Sequence, residues 1–330
     1  MLNFHPQSGS LSNIYMFNLN NINRIITHGK CPDGIASAII LYDKFKIEPE
    51  FYIHGTREYL EIKATAGMLF CDITPPKDRY QEFINAGAIV LDHHISTKYI
   101  VDAFGDNGVF ADEQREPGVS GAVLAFKTIY PDKYNLNNVG CKTHALYILA
   151  WLAGIKDTWQ KDHPEWHDAG AQACMLKFYS WDYFKKKIDY NDWNYNNEYN
   201  VGRMIYNDRL EKVKLFADQA FTFENSGYKV AIFNDPDYYT SGVSNILYNR
   251  GINVIAGFRY TRDPTDKNPI ICFSIRSDGS INVADLAETV SGGGHSKAAG
   301  FSEIISLKEI NPFAMFMDIF EDYINYYKVR

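Results

Sequence analysis

The chain has 330 residues, which is long enough for two domains that each bury a core of their own. Apolar residues make up 46% of it and charged residues 22%, a globular balance that excludes extensive disorder. The formal net charge of -7 disfavours a protein that grips long duplex DNA, because such proteins neutralise phosphates with Lys and Arg, and it fits short phosphate substrates better.

The first third of the chain contains three apolar runs of strand length, and each is followed at once by a polar residue: 24–27 before His28, 67–71 before Asp72 and 88–91 before Asp92. Segments with helical character, 34–45 and 76–86, alternate with these runs. Such alternation predicts an α/β fold with a doubly wound, mainly parallel sheet. Ligands of these sheets bind at the carboxyl ends of the strands, where the polar residues are expected.

A helical region over 118–129 is followed by an apolar stretch over 143–155, which ends at Lys156-Asp157-Thr158-Trp159. Residues 182–200 are rich in Tyr, Asn, Asp and Lys and predict a solvated connection, and 201–220 predict a connecting helix. Strand-like runs at 228–233, 254–260 and 270–276 come next, then a helix at 283–290. We therefore predict a metal-binding catalytic domain over 1–180, a connecting segment and linker helix over 181–226, and a substrate-binding domain over 227–330.

The cysteines and the apolar segments bear on the compartment. The five cysteines lie far apart, are odd in number and form no Cys-x-x-Cys pair, which predicts a reducing environment. The amino terminus lacks a basic start followed by an apolar run, and no later segment offers the roughly 18 apolar residues of a membrane span. We expect a cytoplasmic protein with no membrane partner.

Carboxylates and imidazoles are expected together at one edge of the sheet, namely Asp33, Asp72, the run Asp92-His93-His94, and Asp157. Each of these elements alone has a simpler interpretation as a helix cap or a turn residue. Their convergence favours a site for Mn2+, which accepts imidazole nitrogen more readily than Mg2+ or Ca2+ does. Two such ions about 4 Å apart can stabilise the attacking and leaving oxygens of a phosphoryl displacement. The pattern predicts hydrolysis of a phosphodiester bond.

The second domain carries a run of three glycines followed by two polar residues, Gly292-Gly293-Gly294-His295-Ser296. Glycines allow backbone N–H groups to approach an anion, and both His295 and Ser296 offer hydrogen bonds to a phosphate oxygen. Arg276, at the end of a predicted strand, offers a bidentate contact. The glycine run alone also fits a flexible loop, but together with Arg276 it favours substrate binding.

The runs ITHGKCPDGIASA, LFCDITPP, IVLDHHIS and GIKDTW resemble the four ordered motifs of the DHH phosphoesterase superfamily, and RSDGSINVADLAETVSGGGHSKAAGF resembles the signature of its DHHA1 partner domain. The resemblance spans most of the chain and points to the oligoribonuclease or RecJ-like exonuclease branch. It implies a DHH domain followed by a smaller α/β DHHA1 domain, with the active site in the cleft between them.

The resemblance also implies roles for individual residues. His28 and Asp72 belong to one metal site, and Asp72 bridges to a second site that it forms with Asp33, His93 and Asp157. Asp92 is expected to orient a ligand, and His94 to contact the scissile phosphate or the leaving oxygen.

One residue departs from the family pattern, because Cys31 stands where the first Asp of an Asp-x-Asp motif is usual. A thiolate binds metals but is soft and favours zinc or iron over manganese, so this site is expected to be weaker, differently filled or completed by water. The other interpretation of Cys31 is a buried turn residue without a metal contact.

These features predict a phosphodiesterase, dependent on two Mn2+ ions or on Mg2+ or another divalent metal, that hydrolyses short oligonucleotides to mononucleotides with metal-activated water. The substrate would be nanoRNA or short single-stranded DNA. Two alternatives stay open: hydrolysis of cyclic or linear dinucleotide signals, and nucleotide binding without catalysis after loss of a metal through Cys31. The sequence leaves the cleavage direction and the oligomeric state open, a homodimer included.

Overall fold

The computed structural model describes residues 19–29, 31–112, 115–131, 141–192, 195–262, 268–305 and 311–327. The chain divides into two compact units, Met1–Asn207 and Asp208–Arg330. Each unit has its own sheet and its own hydrophobic clusters, as the length of the chain predicts.

The first unit is built on a five-stranded sheet: β1 Arg24–His28, β2 Pro49–Tyr52, β3 Met68–Cys71, β4 Ile89–Asp92 and β5 Gly108–Phe110. The strand order is β2-β1-β3-β4-β5, and every pair is parallel. In this order the chain adds β2 on one side of β1 and the later strands on the other. Sheets that reverse in this way bind their ligands at the carboxyl ends of the strands where the reversal occurs, here β1 and β3.

The helices that begin in the described part of this unit are α1 Pro32–Phe45, α2 Arg57–Leu60, α3 Tyr80–Asn85, α4 Lys98–Ala103, α5 Gly121–Ile129, α6 Cys141–Asp157, α7 Trp166–Phe178, α8 Trp181–Asp189 and α9 Tyr195–Gln219. Helices pack on both faces of the sheet. Neighbouring strand residues point to opposite faces, so Ile25 packs in the cluster of α1, α5 and α6 while Ile26 packs with α3 and α4. The predicted doubly wound parallel sheet is confirmed.

The strands that sequence analysis identified are the buried central ones, β1, β3 and β4. The short strands β2 and β5 were missed because most of their residues are only partly buried, which leaves no continuous apolar run. The prediction of a solvated connection over 182–200 was wrong for the described part of that segment. It contributes to α8 and α9, and Phe184 and Ile188 are buried in the core; residues 193–194 lie outside the described residues.

The second unit contains a six-stranded sheet and three helices besides the end of α9: β6 Phe221–Asn225, β7 Tyr228–Asn234, α10 Thr240–Tyr248, β8 Val254–Arg262, β9 Pro269–Ser277, α11 Val283–Glu288, β10 Gly293–His295, β11 Ala298–Ile304 and α12 Pro312–Tyr327. The order is β10-β11-β9-β8-β7-β6, and among these described strands only β7 and β8 pair in parallel. Phe316 and Phe320 of α12 pack on one face, and α10 covers the other. The predicted smaller α/β domain is confirmed.

None of the helices in the described ranges is long and apolar enough to cross a membrane.

Candidate metal centre

The candidate site lies at the carboxyl ends of three adjacent strands. His28 is the last residue of β1, Asp72 follows β3 directly, and Asp92 is the last residue of β4, with His93 and His94 after it. Because β1, β3 and β4 are parallel neighbours, their carboxyl ends bring these side chains to one edge of the sheet. The edge is the one where the strand order reverses.

Two further carboxylates reach the site from helices. The helix α1 begins at Pro32, a residue that suits the first turn of a helix. Asp33 therefore lies in this first turn, and Cys31 is the residue that precedes the helix. Asp157 is the last residue of α6, so its carboxylate stands at the negative end of a helix dipole. A cation bound at this position would be attracted by both the carboxylate and the helix terminus.

The ligand atoms form three overlapping groups, in each of which all atoms lie within 4.8 Å of one another: His28, Cys31 and Asp72; Asp33, His93 and Asp157; and Asp72, Asp92, His93 and His94. Asp72 Oδ2 lies 3.8 Å from His28 Nδ1, and Asp72 Oδ1 lies 3.3 Å from His93 Nε2. The two oxygens of Asp72 therefore face two different groups. The structure brings together every metal ligand predicted from the sequence, along with Asp92 and His94.

Asp72 has the features of a carboxylate that requires a cation. It is buried, and neither of its oxygens accepts a well-aligned hydrogen bond from the residues that the structure describes, although His93 Nε2 lies 3.3 Å from Oδ1. Burial and the charge of Asp33 raise the pKa of Asp72 well above its ordinary value. Its φ of 60° is in the left-handed region, a conformation that costs free energy and often occurs at functional sites. A buried carboxylate without well-aligned hydrogen bonds fits a metal ligand.

Asp33 is held in place by the amino terminus of α5. Ser120 Oγ donates to Asp33 Oδ1 at 2.5 Å, and the backbone N–H of Ala122 donates to the same oxygen at 3.2 Å. Burial and the charge of Asp157 raise the pKa of Asp33. Ser120 and Gly121 were not predicted from the sequence, although a Ser before a helix is a recognised signal for a capping position. Here the Ser120 hydroxyl donates a hydrogen bond to Asp33 and does not cap α5.

His93 lies between two carboxylates, with its Nε2 atom 3.2 Å from Asp157 Oδ2. Burial lowers the pKa of His93, but Asp157 and Asp72 outweigh that effect and raise it to about 12. For Asp157 the directions are reversed: burial raises the pKa of its carboxyl, but His93 lowers it more, so the pKa lies below its ordinary value. The carboxylates around His93 thus favour its protonated, positively charged form. A bound divalent cation would supply the positive charge in place of the proton on His93.

Asp92 orients two side chains. Its Oδ1 atom lies 2.7 Å from His94 Nδ1, and Thr97 Oγ1 donates to Oδ2 at 2.7 Å. Burial raises the pKa of Asp92, but His94 and Thr97 bring it below its ordinary value. With Nδ1 assigned as the donor to Asp92, the Nε2 atom of His94 is left for another partner. Thr97 was not identified from the sequence.

Cys31 lies within the cluster. Its Sγ atom is 3.8 Å from Asp157 Oδ1, and it shares a group with His28 and Asp72. Burial and the charge of Asp72 raise the pKa of the Cys31 thiol, so the thiol is protonated unless a cation is bound nearby. The donor set around His28 therefore contains one soft ligand, and the set around Asp33 contains none.

His54 is a histidine near this site that sequence analysis did not identify. Its ring centroid is 5.5 Å from that of His28 and 6.5 Å from that of His94, and the residue is exposed. His54 follows the end of β2 by two residues, so it reaches the same edge of the sheet. The signal was hidden because β2 itself was not predicted.

The residues proposed for substrate binding lie in the second unit. The Arg276 guanidinium donates to Ser241 Oγ at 3.1 Å and to Ser274 Oγ at 3.2 Å. Burial lowers the pKa of Arg276, and no carboxylate in the described ranges forms an ion pair with it. A half-buried guanidinium held only by neutral groups suits an anionic ligand.

The glycine run is not the flexible loop of the alternative interpretation. Gly293, Gly294 and His295 form β10 at the sheet edge, and the exposed Ser296 follows in the turn to β11. A Cβ atom on Gly292 would lie 2.5 Å from the Gly300 oxygen, whereas one on Gly293 would meet nothing within 4 Å. Close strand packing thus requires the first glycine, while Gly293 leaves its side of the strand open.

Comparison with known proteins identifies the second unit. The family model described as the DHHA1 domain matches residues 230–318. Uncharacterized protein R106 of Acanthamoeba polyphaga mimivirus is 21% identical to this chain, in an alignment that covers 87% of this chain and 69% of that protein.

Two solved structures share the fold. The pGpG-specific phosphodiesterase PggH from Vibrio cholerae superimposes with a TM-score of 0.58 at 14% identity, covering 92% of this chain and 98% of that one. The DHH domain of a protein described as a member of a family of ribosomal proteins superimposes with a TM-score of 0.52 at 12% identity, covering 93% and 87%. Residues 230–318 thus form a DHHA1 domain, and the chain shares its fold with a structure that is described as a DHH domain.

Proposed function

We propose that this protein is a divalent-metal-dependent phosphodiesterase that hydrolyses short oligonucleotides to mononucleotides. The observation that carries the proposal is Asp72, a buried carboxylate without well-aligned hydrogen bonds from the described residues, whose two oxygens face His28 and His93. The DHHA1 domain over residues 230–318 and the resemblance of the four earlier motifs to those of DHH phosphoesterases support the proposal.

The ligands divide into two sets that share Asp72. His28, Cys31 and Asp72 would hold one ion, and the second set comprises Asp33, Asp72, His93 and Asp157. Imidazole and carboxylate donors together favour Mn2+ over Mg2+. When bound, two divalent ions supply hydroxide near neutral pH and stabilise the attacking and leaving oxygens.

The protein's own residues position these groups. Ser120 and the Ala122 N–H fix the Asp33 carboxylate, and Asp92 fixes the ring of His94. With its Nδ1 atom engaged, His94 has Nε2 available to donate a hydrogen bond to a phosphate oxygen or a proton to the leaving oxygen. We assign phosphate binding to Arg276, His295 and Ser296 together with the backbone of Gly292, Gly293 and Gly294.

A second candidate is the hydrolysis of a linear dinucleotide. It is favoured by the structural likeness to PggH, which is named as a pGpG-specific phosphodiesterase. The metal centre described above suits either substrate, because it would act on the phosphodiester bond, which is the same whatever the length of the oligonucleotide. The two candidates differ in the oligonucleotide lengths that the protein accepts.

Incubation of the purified protein with Mn2+ and labelled RNA and DNA of two to five nucleotides, together with cyclic dinucleotides, tests the proposal. We expect release of mononucleotides from several lengths, and no release by the Asp72→Ala variant. Turnover of dinucleotides alone would select the second candidate. Binding without turnover, whichever divalent metal is added, would overturn the enzymatic proposal in favour of a nucleotide-binding protein.

A further inference from the structure

Trp159 is an exposed aromatic residue that is close in sequence to a residue of the candidate metal centre. It follows the candidate ligand Asp157 by two residues, at the end of α6, and 60% of its surface is exposed to solvent. A large apolar side chain left exposed contributes little to folding through burial. The position of Trp159 therefore needs another explanation.

The backbone makes this position costly for any residue with a side chain. The Gln160 N–H donates to the Ile155 oxygen and the Trp159 N–H to the Lys156 oxygen, the pair of bonds that ends a helix with a left-handed residue. Trp159 is that residue, with a φ of 54°. Glycine is usual here, and a bulky residue at positive φ is an outlier. The chain thus has a tryptophan where glycine would relieve backbone strain.

Neighbouring groups lie close to the ring, most of which stays exposed. The Trp166 ring centroid lies 6.1 Å away with a tilt of 33°. Lys161 Nζ is 5.0 Å and Lys156 Nζ 5.7 Å from the centre of the Trp159 ring. An indole that stays exposed offers a surface on which a base of single-stranded nucleic acid can stack.

We propose that Trp159 is a stacking platform for a nucleobase of the substrate. The inference rests on the proposed function, since it places the base next to the phosphodiester held at the metal centre. Stacking on an indole is available to every base, so the platform raises affinity without selecting a sequence. Trp159 is a substrate-binding residue and takes no part in the chemical step.

The Trp159→Gly variant tests the platform, because it removes the indole and relieves the positive φ at once and should fold at least as stably as the wild type. We compare its KM for the diribonucleotide pApA with its KM for the same dinucleotide lacking one base. In the wild type the base should improve KM by about ten-fold, and in the variant this preference should disappear. Trp159→Phe should restore part of it, and Tyr190→Ala, which removes a ring that is 80% exposed elsewhere, should leave KM for pApA unchanged.

An unchanged preference for the base in Trp159→Gly would overturn the inference, and so would an equal loss of preference in Tyr190→Ala. If the wild type cleaves no oligonucleotide, the proposed function fails and the platform is judged by binding alone. Titration of pApA in the presence of EDTA should then quench part of the wild-type tryptophan fluorescence in a saturable way. Equal quenching in the wild type and Trp159→Phe would show that Trp159 does not bind the base.

Discussion

Gly121 lies against the two central carboxylates of the site: a Cβ atom at this position would be 2.5 Å from Asp72 Cβ and 2.9 Å from Asp33 Oδ2. Both carboxylates therefore depend on the absence of a side chain at the start of α5. No backbone constraint explains this glycine, because its φ lies outside the left-handed region. A glycine is needed at position 121 because Asp72 and Asp33 occupy the space that a side chain would take.

Gly121→Ala should accordingly inactivate the protein even though alanine is the better helix former by about 1 kcal/mol. The added methyl group must displace Asp72 or Asp33, and a shift of about 1 Å in a reacting group can lower the rate by about 100-fold. Measurement of kcat/KM and of bound manganese checks this. Activity and metal content like those of the wild type would contradict the assignment of these carboxylates.

Asp72→Asn should stabilise the metal-free protein while abolishing its activity. The pKa of Asp72 is raised, so its folded form favours the protonated acid, and stability falls as pH rises above the unfolded value of about 3.9. A neutral amide removes that penalty, and we expect the free energy of unfolding at pH 7 to rise by about 1–2 kcal/mol. Urea unfolding in EDTA measures it.

Asp92→Asn is the matched control, because the pKa of Asp92 is lowered and its charged form is the stable one. Stability from Asp92 is present above the unfolded pKa and is lost as pH falls through the folded value. This variant should therefore be less stable than the wild type at pH 7 by about 1–3 kcal/mol. Destabilisation of similar size in both variants would show that Asp72 is satisfied without a metal.

Cys31 should determine which metals support activity. EDTA should abolish turnover and lower the Tm, and Mn2+ should restore both better than Mg2+, because Cys31, His28 and His93 are poor ligands for Mg2+. In Cys31→Asp a hard oxygen replaces the sulfur, and turnover with Mg2+ should rise on the order of ten-fold, the scale on which changes near a metal alter activity. Identical metal preferences in the two proteins would place Cys31 outside the coordination sphere.

Thr97 should act on the reaction through Asp92 and His94. Thr97→Val keeps the shape of the side chain but removes the hydrogen bond to Asp92 Oδ2, so the carboxylate and the His94 ring lose part of their orientation. We expect kcat to fall about ten-fold with KM little changed, whereas His94→Ala should lower kcat further. A rise in KM alone would assign Thr97 to substrate binding.

Two neighbouring glycines of the second unit should respond differently to alanine. In Gly292→Ala the new Cβ meets the Gly300 oxygen and Phe301 Cβ at 2.5 Å, and overpacking of this kind costs about 1–3 kcal/mol. Gly293→Ala meets no atom within 4 Å and should leave stability unchanged or slightly higher. Calorimetry of both variants compares them. Equal loss of stability would show that the glycines are needed for backbone conformation instead of close packing.

The pattern of apolar and polar residues along the sequence predicted those strands and helices whose own residues show a clear apolar run or helical spacing. The strands β1, β3 and β4 are buried on both faces and form continuous apolar runs in the sequence. The ends of these strands, and the polar residues that follow them, could therefore be predicted. The helix α8 was not visible, because buried Phe184 and Ile188 stand among charged residues in a short segment whose composition suggests solvent.

The sequence by itself determined the alternation of strands and helices, and with it the edge of the sheet where His28, Asp72 and Asp92 would meet. Only the tertiary structure decided which side chains hold these site residues in place. Ser120 reaches Asp33 across 87 residues of chain. Such contacts depend on how α1 and α5 pack on one face of the sheet, and packing between distant elements leaves no periodic signal in the residues that make it.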